Sequence, residues 1–146
     1  MLLTDEVNLL SRVQLFSGVK GSKLKLLAFA SDRVSFGPGQ FMYRQGDNSD
    51  YAYVILSGVV EMMTETDDGL VTFEEKSTQD VVGEGAILSE RPRQYSVRAK
   101  TPIETLRIKR SFFQQLLSCC PHTMAQIMRV LSDRDAKIAD MASATH

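Results

Sequence analysis

The apolar positions of this chain follow one rhythm at its ends and another in its middle. Residues Thr4 to Leu15 and Ser22 to Ala30 read as short helices, the second with Ser22 as its N-cap ahead of the apolar positions Leu24, Leu27 and Phe29. From Arg33 to Ile108 the period changes. Runs rich in β-formers, YAYVIL, VTF, YSVRA and TLRI, are broken every several residues by turn signals: GPG at 37–39, QGDNSD at 45–50, SG at 57–58 and DDG at 67–69. That pattern predicts an antiparallel sandwich or roll. Asp68 and Gly69, between VEMMTE and LVTFEE, are expected to form a two-residue hairpin turn, since both accept positive φ. Helical spacing returns with FFQQLL after Ser111, and Pro121, suited to a first helical position, opens a long helix to about Met141. No internal repeat, low-complexity linker or second domain interrupts the pattern.

The last of these helices carries Met124, Ile127, Met128, Leu131, Ile138 and Met141 on one stripe, with Arg134 on the same stripe. Two readings fit Arg134. It is a snorkelling arginine paired with Asp133 or Asp135, or a polar position in a helix–helix contact; alternatively it is a basic group held over a polar ligand.

The stretch GEGAILSERPRQYSV, Gly83 to Val97, fits neither a plain helix nor a plain strand, because glycines weaken both while Ala86, Ile87 and Leu88 suit one helical turn. A short helix beginning near Gly85 would present unpaired backbone N–H groups and a partly positive end to an anion. Gly83 and Gly85 would let the backbone approach closely, and Arg93, after the rigid Pro92, offers planar donors that match phosphate oxygens. Glu84 would repel phosphate, so its use is as an acceptor for a neighbouring sugar hydroxyl. Phosphate and hydroxyl together describe a nucleotide. An ordinary surface turn with one Glu and one Arg is the alternative for the loop taken alone.

Composition narrows the field. The chain has 146 residues, 43% of them hydrophobic, the size of one domain with a real core. With 17 basic and 18 acidic side chains, the formal net charge is −1, so no overall basic field draws the domain by itself to nucleic acid or anionic lipid. No apolar run approaches the roughly 20 residues that span a bilayer, and the N-terminal MLLTDEVNLL is acidic where a signal peptide is basic; the expected location is the cytoplasm. Cys119 and Cys120 are adjacent, a spacing that strains an intramolecular disulfide, and read as two buried or half-buried thiols. A metal-bearing cupin would need clustered histidines, but His122 and His146 lie outside the strands. No GxxxxGK sequence and no nucleophile with a base is apparent, and haem or iron–sulfur ligands are lacking. Catalysis and a metal or cofactor are therefore not expected.

Gly83 to Val97 resembles the phosphate-binding cassette of the cyclic nucleotide-binding domain family, roughly Phe-Gly-Glu-Leu-Ala-Leu-Leu, a few variable residues, then Pro-Arg-Ala-Ala-Thr-Val. The chain reads VGEGAILSERPRQYSV without a gap. Upstream, GQFMYRQGDNSDYAYVILSGVVE is similar to the first part of the family's β-roll, with Gly39, Gly46, Asp47 and Gly58 at the turns. The resemblance implies an α+β, mainly β fold: an antiparallel, jelly-roll-like β-roll with short N-terminal helices, a short cassette helix and two C-terminal helices. It divides a single domain, 1–146, into N-terminal helices at 1–32, the roll at 33–109 with the cassette at 82–97, and lid helices at 110–146.

By the same resemblance the ligand is cAMP, or less favourably cGMP. Glu84 would hold the ribose 2′-hydroxyl, Arg93 the cyclic phosphate, and the backbone of Gly85 and Ala86, next to Gly83, would help hold the phosphate. Members close a C-terminal helix over the base, which puts Met128, Leu131 and Arg134 in reach of it. The chain departs from the family pattern at Gly85, usually leucine, at Gln94, usually small, at Tyr95, commonly alanine, and at Gln79, a frequent turn glycine. Gln94 and Tyr95 thus join the ligand-contacting candidates, Gln94 bonding or crowding the phosphate and Tyr95 filling the core or intruding on the ligand. The expected function is a regulatory sensor whose C-terminal helix moves on binding to control an attached or partner effector. The competing expectation is a scaffold that no longer binds nucleotide and makes a homodimer through its last helix.

Overall fold

The computed structural model describes residues 3–13, 16, 19–48, 50–83, 92–117, 121, 125, 128 and 129. Two short helices, α1 (Leu3–Ser11) and α2 (Gly21–Ala30), precede eight strands: β1 (Asp32–Phe36), β2 (Phe41–Tyr43), β3 (Tyr51–Ser57), β4 (Val60–Thr66), β5 (Gly69–Lys76), β6 (Val81–Val82), β7 (Ser96–Ala99) and β8 (Ile103–Lys109). Helix α3 (Arg110–Leu117) follows directly. The strands form two antiparallel four-stranded sheets, ordered β1-β8-β3-β6 and β2-β7-β4-β5. This is the mainly β roll expected from the turn rhythm. Pro121, Ala125, Met128 and Arg129 are helical; the rest of the long helix, and the helix expected near Gly85, lie outside the described residues.

Strand β3 explains the uninterrupted apolar run YAYVIL. Its alternate residues Ala52, Val54 and Leu56 pack with Leu10, Leu24, Leu27 and Ala28 of the N-terminal helices, while Tyr53 and Ile55 face Met42, Tyr43, Met62, Tyr95 and Val97 between the sheets. A strand buried on both faces has no polar alternation to show. Burying side chains such as Leu27 and Ile55, both 0% exposed, stabilises the fold by about 1.5–3 kcal/mol each.

Three local expectations are corrected. Helix α1 ends at Ser11 rather than Leu15: Leu10, Val13, Phe16 and Val19 are spaced by three, and each of the last three donates its N–H to the carbonyl three residues back, at 2.9–3.1 Å. That spacing suits tight i→i+3 turns, which bury all four side chains on one side. Helix α2 is capped at Lys20 without a side-chain bond, so Ser22 lies inside its first turn, and Phe29 is 79% exposed while Leu24 and Leu27 are buried. The β4–β5 turn is centred on Asp67 and Asp68. Thr66 pairs with Gly69, which alone takes the positive φ, 99°, while Thr66 Oγ1 accepts from Asp68 N and donates to Gly69 O. Such a turn followed by a left-handed residue lets the hairpin keep its twist.

Candidate functional site

The sequence prepares a place for Arg93 on both sides of the chain. The QGD segment after β2 and the PRQYS segment before β7 are cross-linked by backbone: Gly46 N donates to Arg93 O and Arg93 N to Asp47 O, both at 2.8 Å, while Gln45 N donates to Ser96 Oγ at 2.8 Å. Asp47 in turn accepts from Arg44 N at 2.9 Å and closes its own turn. The upstream turn therefore fixes the backbone from which the Arg93 side chain projects.

That side chain goes inward and is 7% exposed. Its Nη1 donates to Gly83 O at 3.1 Å and its Nη2 to Tyr51 O, and its guanidinium carbon lies 3.9 Å from the centroid of the Tyr43 ring. Its Nε is buried without a hydrogen-bond partner, and among the described residues no carboxylate pairs with it. A buried cation is costly unless paired and hydrogen-bonded, and an unmet buried donor costs about 1–3 kcal/mol or more when charged. Among the described residues the guanidinium is left without a counter-charge, an arrangement that suits an anion.

Gly83 is required by two independent facts. Its φ is +79°, a left-handed conformation, and a Cβ there would stand 2.7 Å from Arg93 Nη1 and 3.3 Å from Tyr51 O. The close approach expected of this glycine is made toward the arginine. Tyr95, 7% exposed, fills the core: its ring meets Tyr43 at 5.9 Å and Phe73 at 5.9 Å, and its hydroxyl accepts from Gly83 N at 3.3 Å. Gln94 is exposed, and its Nε2 donates to Pro92 O at 3.0 Å. Gly83, Arg93 and Tyr95 thus come together and Gln94 points elsewhere. Glu84, Gly85, Ala86 and Arg134 lie outside the described residues.

Sequence reasoning missed Tyr43, Tyr51 and Tyr53. All four tyrosines of the chain meet here: Tyr43 lies against Arg93 and stacks on Tyr53 at 6.3 Å, Tyr95 packs on Tyr43, and Tyr51 supplies a carbonyl. They lie on β2, on β3 and just before β7, so their convergence on Arg93 follows from the strand pairing and not from any local signal. Burial holds the Tyr53 hydroxyl protonated above the ordinary tyrosine range, opposed by the charges of Arg93 and Arg107. An open pocket of about 410 Å³ at the start of α3, lined by Asp50, Tyr51, Lys109, Arg110, Ser111 and Gln114, shares only Tyr51 with the residues around Arg93. Among the described residues no cluster of His, Cys, Asp and Glu is placed to hold a metal ion, and no helix is long and apolar enough to cross a membrane.

A guanidinium buried in an antiparallel roll, held against a glycine turn and lacking a described carboxylate, makes a β-roll with a candidate anion site. The sequence profile of the cyclic nucleotide-binding domain family matches residues 33–119, and the chain belongs to that family. The cAMP-dependent protein kinase regulatory subunit of Emericella nidulans is 33% identical over 108 residues, 74% of this chain and 26% of that protein; this chain thus spans about a quarter of that relative's length. Among solved structures, a cyclic nucleotide-binding-like protein from Brucella abortus shares 32% identity with a TM-score of 0.67, covering 78% of this chain and 98% of that one. The regulatory subunit of a cAMP-independent protein kinase A from Trypanosoma brucei shares 26% identity with a TM-score of 0.78, covering 90% and 47%. The family read from the cassette and the β-roll read from the turns are both borne out.

Proposed function

We propose that this chain is a regulatory sensor domain that binds cAMP in preference to cGMP and passes the binding event to an attached or partner effector in the cytoplasm. The observation that carries this reading is Arg93: a guanidinium 7% exposed, with a buried unpaired Nε and no carboxylate among the described residues. A cyclic phosphate supplies the missing charge and acceptor. In this reading Gly83 sets the start of the cassette, Glu84 takes the ribose 2′-hydroxyl, and the amides of Gly85 and Ala86 hold the phosphate. The C-terminal helix then closes over the base with Arg134 and shifts the population of effector states. The family membership and the Emericella relative's name support a cyclic nucleotide; the name of the Trypanosoma relative makes the choice of base the first thing to measure.

The test is calorimetric titration of nucleotide-free protein with cAMP and cGMP. Micromolar binding, about −8 kcal/mol, tighter for cAMP, is the expected result. Tighter cGMP binding overturns the base assignment, and no heat with either from folded protein overturns the sensor reading in favour of a scaffold.

A further inference from the structure

We infer that Tyr43 is a positioning residue for nucleotide recognition: its ring is the platform that fixes the plane in which Arg93 meets the phosphate. The inference rests on the cyclic-nucleotide reading above and goes beyond it, because Tyr43 belongs to β2 and not to the cassette.

A guanidinium is planar, and its value for phosphate lies in donors aimed along fixed directions. Three contacts define that plane here. Two are edge contacts, Nη1 to Gly83 O and Nη2 to Tyr51 O; the third is the face contact, with the guanidinium carbon 3.9 Å from the Tyr43 centroid. The edge bonds alone leave the group free to tilt about the line joining the two amino groups. The ring removes that freedom and lowers the cost of burying the cation by offering its negative face.

Tyr43 is itself held in place. It is 6% exposed, stacks on Tyr53 with ring centroids 6.3 Å apart and 25° between planes, and packs on Tyr95 at 5.9 Å. Tyr53 leans edge-on against Phe36 at 6.2 Å, and Tyr95 against Phe73 at 5.9 Å. The platform is thus braced from both sheets, through β1 and β3 on one side and β5 on the other. Tyr95 also accepts from Gly83 N, so the same aromatic cluster that sets the arginine's face sets the carbonyl at its edge.

The chemistry predicts a selective loss. Tyr43→Leu should weaken cAMP binding about tenfold, the size of a desolvated cation–π contact, while binding of adenosine, which lacks the phosphate, measured by competition, stays within about twofold. Tyr43→Phe keeps the ring face and should restore cAMP affinity to within about twofold. Each variant is titrated at a temperature at least ten degrees or so below its own melting midpoint, which thermal denaturation supplies. As a second readout independent of affinity, the Arg93 Nε–H resonance should move downfield in ligand-free Tyr43→Leu and keep its position in Tyr43→Phe, because only an aromatic face shields a proton held against it. Four outcomes overturn the proposal: Tyr43→Leu binding cAMP like the unmodified chain, cAMP and adenosine weakened alike, Tyr43→Phe failing as badly as Tyr43→Leu, or an unmoved Nε–H signal. If the unmodified chain itself binds no cyclic nucleotide, the sensor reading fails and takes this proposal with it; failure in the variants alone leaves the sensor reading standing.

Discussion

Two arginines of this roll lie over tyrosine rings, and they differ in what neutralises them. Arg93, three residues before the start of β7, sits 3.9 Å from the Tyr43 centroid; Arg107, on β8, sits 4.5 Å from the Tyr51 centroid. Each has a buried Nε without a partner. Arg107, however, keeps Asp32 at 3.2 Å across the β1–β8 pair, and its side chain is 34% exposed, whereas Arg93 is 7% exposed and has no carboxylate among the described residues. A second device is also shared. Gly83 and Gln79 flank the two-residue strand β6 with nearly equal φ, +79° and +77°, yet only the first is a glycine. Stacking and left-handed backbone are therefore general tools of this fold. What marks the site is a charge with no carboxylate among the described residues, together with a glycine whose Cβ would run into that charged group.

The largest expected effect separates the two arginines. Arg93→Ala should lose cyclic nucleotide affinity by on the order of a hundredfold or more, because in the sensor reading the phosphate loses its charge-assisted partner in a buried site. Arg107→Leu should change affinity less than about twofold and, as the removal of a partly exposed ion pair, cost about 1 kcal/mol of stability at most. Parallel titrations and denaturant unfolding of the two variants measure both quantities. Equal losses of affinity would erase the distinction drawn between them.

A smaller effect tests the glycine. In Gly83→Ala the new methyl meets Arg93 Nη1 at 2.7 Å and the backbone must hold +79°, so stability should fall by about 1–2 kcal/mol and cyclic nucleotide affinity should fall with it as the guanidinium is displaced. Unchanged affinity at normal melting temperature would show that Gly83 does not govern the arginine's position.

How much of this was legible in the sequence depended on whether a feature was local. The turn signals GPG, QGD and DDG pointed to the roll, and the cassette's Pro92 and Arg93 pointed to the candidate site, because each is written in neighbouring residues. Tyr43 was silent for the opposite reason: in FMY it looks like any strand residue, and only the pairing of β2 with β7 brings it to Arg93. YAYVIL likewise announces a buried strand without saying that Val54 faces the helices and Tyr53 the aromatic cluster. The hairpin turn was misplaced by one residue because DDG offers two adjacent positions that tolerate positive φ, and the register of β4 with β5 decides between them. The end of α1 was misjudged because a spacing of three and a spacing of 3.6 differ little over two turns.

The smallest expected effect returns to the second shared device. Gln79 was marked in the sequence as standing where a turn glycine is frequent, and it is the one non-glycine residue with positive φ among those described. Its backbone is fixed by its own N–H to Ile55 O at 2.8 Å, and the turn around it is closed by Ser77 N to Asp80 Oδ2 at 2.8 Å and Asp80 N to Ser77 O at 3.0 Å. A side chain in the left-handed region costs about 1–2 kcal/mol, while a glycine gives back about 0.5–1 kcal/mol through the freer unfolded chain. The difference favours Gln79→Gly, which should raise stability by about 0.5–1 kcal/mol and the melting temperature by about 2–4 °C, opposite in sign to Gly83→Ala. Nucleotide affinity should stay within about twofold, because no Arg93 contact passes through this turn. A lower melting temperature would mean that contacts of the Gln79 side chain outweigh its backbone strain, and that equal φ at the two ends of β6 does not imply equal strain.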